Sequence, residues 1–452
     1  MPNAANSHRP RTRDGAPFDW GGAADRSPPM SRATLQALLD GTSLVVSLSQ
    51  DDYVRNYGGV QNLIGDERQA FSRRGAQYLH LSPAAPLPVL AEPAEIGRFR
   101  FAALLDGKHC GVVLAADLAA VLAALSASGS AIEFVVHHLM GHEPECVAML
   151  LQAAGGVTPT VWVHDFFTIC LSYALMRNDV AYCAAPPPDS GACGVCSYGA
   201  ARGGHSTRVR SFFEATRPVV LAPSQAALDV WLTADLPHAT AVVQPLARLV
   251  LAPAAGDNAH RAGRRLRVAH LGARVLHKGW YVFEELALRF ADDGRYEFLQ
   301  FGASASVPMP GCIRGVPVQV VPDCRDAMVE ALAESGVDAV VAWSLWPETF
   351  CFTVHEALAS GAFVVTRRDA GNMWPAVAAN APAQGCAVAD IEALTALFAG
   401  DELVELCRRP RRRGAVLPGG ATADRLEAPT GDGAAAKATA RGATVRQGLQ
   451  HV

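Results

Sequence analysis

The sequence predicts an α/β protein of two Rossmann-like, doubly wound domains facing each other across a cleft, and three observations carry that expectation. The chain has 452 residues, too many for one ordinary hydrophobic core, so a division into two domains is expected. Short apolar runs alternate with segments of helical period, as parallel strands joined by crossover helices require. A segment of Pro, Gly, Asp and Asn without any period, Ala252–Arg264, separates two sets of these runs and reads as a linker.

In the first half the strands are expected at Leu44–Leu48, Tyr78–Leu81, Phe134–Val136, Val161–Val163 and Val219–Leu221. In the second they are expected at Leu266–His270, Tyr296–Phe301, Val318–Val321, Ala339–Ala342 and Ala362–Thr366. The flanks differ in composition. Residues 1–33 lack apolar periodicity and read as a disordered leader, and residues 401–452, rich in Arg, Gly, Ala and Thr, read as a mostly disordered tail. The expected domains are therefore 34–250 and 266–400, joined by 251–265.

A formal charge of -4, from 39 basic and 43 acidic residues, gives no global field that would recruit nucleic acid. The N-terminus lacks the apolar core of a secretory signal, so a cytoplasmic location is expected, with reduced thiols unless some of the eleven cysteines hold a metal. The most apolar stretch, Gly111–Val136, is interrupted by Asp117, Glu133 and the turn Ser128-Gly129-Ser130, which excludes a membrane span there. Membrane contact is limited to a peripheral one at an inner membrane. The Arg408–Arg413 cluster could supply it, or could be a solvated tail.

The sharpest motif lies in the second half. Trp346-Pro-Glu348-Thr-Phe350-Cys351-Phe352-Thr353-Val-His-Glu356, ending at Gly361, lies between the strands Ala339–Ala342 and Ala362–Thr366. The loop holds Glu348, a helix follows, and Gly361 suits its left-handed C-terminal cap. First-turn amides near Phe350 to Thr353 lack intrahelical partners and favour a diphosphate placed beyond the strand end. Glu348 and Glu356 are carboxylates suited to accepting hydrogen bonds from sugar or ribose hydroxyls. A second strand, loop and helix carries Gly272-Ala273-Arg274 and then Lys278-Gly279, where Lys278 at the helix entrance can neutralise a leaving phosphate.

These residues resemble the retaining glycosyltransferases of family 4, which have the GT-B fold. The resemblance implies that Glu348 holds the hydroxyls of the transferred sugar, Glu356 the ribose of the nucleotide and Lys278 the diphosphate. It departs from the family pattern at Cys351, where glycine is usual, and at Ala273, where arginine is usual; Arg274 stands one residue further on.

In the first half Gly58-Gly59-Val60 follows the first strand and allows close backbone approach to a ligand. By the same resemblance this loop faces the donor phosphate. The resemblance also implies that His164, at the end of Val161–Val163, contacts the sugar. His137 and His138, with His142 close behind, end the preceding strand and suit either acceptor binding or strand-end packing. Cys170, Cys183, Cys193 and Cys196 fall in or beside a Pro- and Gly-rich insertion, and Cys193-Gly-Val-Cys196 has the gap of a zinc knuckle. They could close a structural zinc site or simply pack.

The resemblance thus implies a hexosyl transferase that moves a sugar from a nucleotide-sugar donor to an acceptor hydroxyl with retention. The expected setting is polysaccharide or glycoconjugate assembly on a glycan or lipid-linked acceptor, and no cofactor is required for catalysis. A nucleotide-sugar epimerase on the same fold, and a catalytically silent protein that binds glycan or partner chains, are the alternatives. A nicotinamide dehydrogenase is disfavoured because neither domain carries Gly-x-Gly-x-x-Gly after its first strand.

Overall fold

The computed structural model describes residues 24–253, 264–302, 308–420 and 422–423, apart from residues 94, 96 and 322. Most of the expected leader, the middle of the linker and residues 424–452 of the expected tail lie outside the described residues.

Among the described residues, eight strands form the N-terminal sheet in the order Thr240–Val243, Val219–Ala222, Thr160–Trp162, Ala131–Val136, Ser43–Leu48, Gln77–Pro83, Arg100–Leu105 and Lys108–Leu114. The first six run parallel, and the last two add an antiparallel hairpin at one edge. Central parallel strands are covered on both faces and so become continuous apolar runs. Ser43–Leu48 is buried at every position after its first residue.

The second sheet has six parallel strands, ordered Ile313–Pro317, Tyr296–Gly302, Leu266–Leu271, Ala339–Ala342, Phe363–Arg367 and Gly385–Val388. One face packs on Trp280, Phe283 and Phe398, the other on Val354, Ala357 and Leu358 of the helix Phe352–Ser360. Leu266–Leu271 and Ala339–Ala342 are neighbours, with Val268 opposite Ala339. The chain winds outward from this pair in opposite directions, so the loops at their C-terminal ends diverge and leave a crevice. Those loops carry Gly272 to Lys278 and Trp343 to Cys351.

Three expectations are corrected. The edge strand is Ile313–Pro317, not Val318–Val321: pairing with Tyr296–Gly302 ends at Pro317, and Val318, Gln319 and Val320 run on beyond the sheet to line the cleft. The ordered chain begins before residue 34. Pro29 bridges to Val112, and the Ser31 hydroxyl accepts from the Thr34 amide at 3.2 Å to cap the helix Arg32–Leu38.

The third correction concerns the tail. Glu402–Arg408 is helical and Gly414–Pro418 is a strand, antiparallel to Ala247–Leu251. Its anchor is the basic cluster Arg408–Arg413, for which a lipid contact and a solvated tail are the two expectations. Arg411 is buried and donates to the carbonyls of Asp338, Gly361 and Cys407, and Arg412 Nη2 donates to the Leu251 carbonyl at 2.9 Å. Beyond the strand, the Thr422 hydroxyl donates to Glu67 and accepts from Trp162 Nε1 at 3.0 Å, which returns the chain to the first domain. No helix among the described residues is long and apolar enough to cross a membrane.

Candidate active site in the interdomain cleft

A cavity of about 880 Å³ occupies the cleft, lined by Gly58 and Gly59 from one domain and by Gly272, Arg274, Phe352 and Glu356 from the other. A recess of about 70 Å³ adjoins it through the shared Gly272 and Ala273, and is lined by Lys278, Glu348 and Thr353. Nine of the sequence-predicted residues are thereby gathered at one crevice. Phe350, Cys351 and His164 line neither cavity.

Glu348 is held by three donors on one oxygen. Its Oε1 accepts from Lys278 Nζ at 2.6 Å, Trp346 Nε1 at 2.8 Å and Ser344 Oγ at 3.1 Å. Its other oxygen has no protein partner among the described residues, and the residue lines the recess. Burial works against the charge on Lys278, but the Glu348 carboxylate outweighs it and holds the amine above its ordinary value. The ammonium also lies 5.4 Å from the centre of the Trp346 ring. Gly279, at φ +76°, turns the chain between the single 3₁₀ turn Leu276–Lys278 and the helix Trp280–Arg289. The two loops are tied by Leu345 N donating to the His277 carbonyl at 2.9 Å and by Ser344 Oγ donating to it at 3.0 Å.

Glu356 is buried in the wall of the large cavity without a hydrogen-bond partner among the described residues. Burial alone pushes its carboxyl from 4.5 up to about 7. A pKa raised on folding means that the native state binds the proton more tightly. The associated stability is present below the unfolded value and is lost as pH climbs through the native one. The effect should total ~3 kcal/mol between those two values. A thermal unfolding series from about pH 5 to pH 8 should therefore show wild type losing Tm relative to Glu356→Gln. Parallel profiles for the two proteins would contradict the assignment.

The helix that opens after this loop begins at Phe352, so its free first-turn amides are those of Phe352 and Thr353; the Val354 amide already donates to the Cys351 carbonyl at 3.2 Å. Cys351 is its N-terminal boundary at φ +66°, in the left-handed region. That backbone explains why glycine suits the position, since a Cβ is strained there. The Cys351 side chain turns into the core beneath the helix, 3.3 Å from Thr353 Oγ1, and lines neither cavity. Phe350 stacks on His355 at 4.5 Å. Gly59 has a different requirement: a Cβ there would lie 2.9 Å from Phe352 Cε2, so the glycine lets the two domains meet.

His164 stands in a buried histidine chain. Its ring stacks between Trp162 and His137, and its Nε2 lies 3.1 Å from His137 Nδ1, whose Nε2 lies 3.2 Å from Glu67. Burial, with His137 and His138 adding to it, holds the ring well below its ordinary pKa and therefore neutral. The His164 carbonyl accepts from Thr349 Oγ1 at 2.7 Å, joining this strand end to the Glu348 loop. His138 Nε2 pairs with Asp165 at 2.8 Å and His142 Nε2 donates to the Ser49 carbonyl at 2.7 Å, contacts that favour strand-end packing for both.

Sequence reasoning missed the clasp across the cleft. Arg325 Nη2 donates to Asp66 Oδ1 at 2.9 Å and to the Asn62 carbonyl at 3.0 Å, from one domain to the other, and Arg325 and Asp66 both line the large cavity. It also missed Val416, Leu417 and Pro418 of the returning strand, which complete the wall. Nothing local marks any of these residues as functional.

The four cysteines of the insertion line one small cavity of about 20 Å³ together with Tyr198 and Arg202. No three His, Cys, Asp or Glu side chains among the described residues are drawn close enough to hold a metal as they stand.

No family model matches the chain, and no curated protein matches it by sequence. Solved structures do resemble it. A HepE from Anabaena in complex with UDP and glucose, at 12% identity and TM-score 0.48, covers 82% of this chain and 93% of its own. An α,α-trehalose 6-phosphate synthase from Burkholderia multivorans, also at 12% identity and with TM-score 0.43, covers 81% and 90%. A sucrose-phosphate synthase from Thermosynechococcus elongatus aligns at TM-score 0.50 and 12% identity, over 81% of this chain and 92% of that one. With its two facing Rossmann-like domains, the chain has the GT-B fold.

Proposed function

We propose that the protein transfers a sugar from a nucleotide-sugar donor to an acceptor hydroxyl, with retention of anomeric configuration. The observation that carries this reading is the pairing of Lys278 with Glu348 at the C-terminal edge of the second sheet, beside the first turn of the helix that bears the unpartnered Glu356. The nucleotide lies in the large cavity with its ribose hydroxyls on Glu356. Its diphosphate meets Lys278, Arg274 and the amides of Phe352 and Thr353, where a positive charge and free donors stabilise the negative charge that builds on departure. The free oxygen of Glu348 accepts from the sugar hydroxyls. The acidic residues among the described cavity-lining residues are Asp66, which Arg325 engages, Glu356 and Glu348; with none of them assigned as a nucleophile, the acceptor attacks from the face the phosphate leaves.

The acceptor is a glycan or lipid-linked sugar and the setting is polysaccharide or glycoconjugate assembly, with at most peripheral contact to an inner membrane. The test is a panel of nucleotide sugars screened for thermal stabilisation, because a ligand bound by the native state alone raises Tm. The donor that stabilises is then incubated with candidate acceptors, and the product anomer is read by NMR. Release of nucleoside diphosphate with a product of unchanged anomeric configuration is expected. Tight donor binding without turnover on any acceptor would instead favour a silent binding protein.

A further inference from the structure

The insertion that follows Thr160–Trp162 holds four cysteines that no step of the proposed transfer uses. Cys170 lies in the turn after that strand. Cys183 follows the hairpin Met176–Arg177 and Ala181–Tyr182, with its amide donating to the Leu175 carbonyl at 2.9 Å. Cys193 and Cys196 flank the end of a single helical turn, and the Cys196 amide donates to the Cys193 carbonyl at 3.0 Å. Three separate local structures thus bring four thiols to the wall of one cavity, whose roughly 20 Å³ is room for one small ion.

A second, independent observation points to a missing charge. Arg202 is 4% exposed and lines the same cavity. Its Nη1 lies 2.7 Å from Cys193 Sγ, its Nε has no hydrogen-bond partner, and no carboxylate pairs with it among the described residues. A buried guanidinium without a counter-charge is strongly unfavourable, and four neutral thiols supply none. Four thiolates around a divalent ion carry a net negative charge of two, and their sulfurs accept hydrogen bonds from just such a neighbouring donor. The backbone agrees. Leu175, Ala184 and Ala185 adopt left-handed conformations, which persist only where the surroundings over-determine them.

We propose that Cys170, Cys183, Cys193 and Cys196 bind one zinc ion in a closed tetrathiolate site, with Arg202 as its charge-balancing donor. Closing the site requires the four thiols to turn inward by side-chain rotation, to the roughly 2.3 Å that a zinc–sulfur bond needs, with the guanidinium left outside the sphere. Each thiol gives its proton to solvent as the ion binds, so affinity falls in acid. The role is structural, and it reaches the cleft. Tyr173, whose carbonyl accepts from the Phe166 amide at 2.9 Å, packs edge-on to Trp346, the residue that donates to Glu348. The inference does not depend on the sugar-transfer reading.

The test is elemental analysis and zinc X-ray absorption on the full-length protein purified from zinc-supplemented cells. One zinc per chain and a first shell of four sulfurs at about 2.3 Å are expected. The pair Cys193→Ser with Cys196→Ser should lose the metal, while Cys324→Ser, an exposed cysteine elsewhere, should keep it. Should the double variant fail to fold, titration of wild type with an organomercurial in the presence of a chromogenic chelator gives the same answer, with zinc appearing as the four thiols react. Iron in place of zinc, a disulfide between any two of the four, or thiols that react freely in zinc-free native protein would each overturn the proposal.

Discussion

Replacing Lys278 with methionine is expected to lower kcat by about 10²–10³-fold at saturating donor, the loss typical of removing one preorganised group from a developing negative charge. Methionine keeps most of the aliphatic stem, and Glu348 retains its hydrogen bonds from Trp346 and Ser344, so the loop should keep its shape. The carboxylate then sits buried with neutral donors only, and some loss of Tm should accompany the loss of turnover. Steady-state kinetics set beside thermal unfolding separates the two effects. A fall of under tenfold, with donor affinity unchanged, would mean that the leaving phosphate does not meet this ammonium.

The second large effect is on folding. A Cβ at Gly279 would lie 1.6 Å from the Trp343 carbonyl oxygen and 2.9 Å from the Trp343 Cβ, and the residue is held at φ +76°. The left-handed backbone alone disfavours alanine by about 1–3 kcal/mol, and the clash with a backbone oxygen cannot be relieved by a rotamer change. Gly279→Ala should therefore destabilise the protein by about 4 kcal/mol or more, measured by denaturant unfolding. Gly272→Ala makes the contrast. It shares a left-handed φ of +92°, yet its Cβ would meet only Thr353 Cγ2 at 3.9 Å, so the backbone strain stands alone. Equal losses at the two positions would show that Gly279 is not required for the close approach of the two loops.

Much of the site was legible because it is local. Glu348, Phe352, Thr353 and Glu356 belong to one loop and the helix it opens, and Gly272, Arg274 and Lys278 to another. Each group follows a strand whose apolar run is readable on its own. The clasp between Arg325 and Asp66 was not legible, because the partners are 259 residues apart and each looks like an ordinary surface charge. The burial of Cys351 beneath its helix was equally hidden. Its side-chain direction follows from a left-handed φ that the sequence does not state.

The strand Gly414–Pro418 is the clearest case of structure overriding composition. An Arg-rich approach followed by Gly and Ala has too little apolar surface to order alone. It orders because Arg411 finds buried carbonyls at Asp338, Gly361 and Cys407, and because Ala247–Leu251 offers an unpaired edge. Both partners are made by distant parts of the chain.

By itself the sequence determined the central strands of both sheets, the winding of two α/β units and the chemical type of each cleft residue, since these follow from periodicity and side-chain chemistry within a few tens of residues. Only the tertiary structure decided which oxygen of Glu348 is occupied and that Glu356 stands without a partner. It also decided that His164 is stacked away from the cavity and that the chain's last described residues return to the first domain. Those facts depend on which surfaces exclude water from one another, a property of the packed assembly and not of any segment read alone.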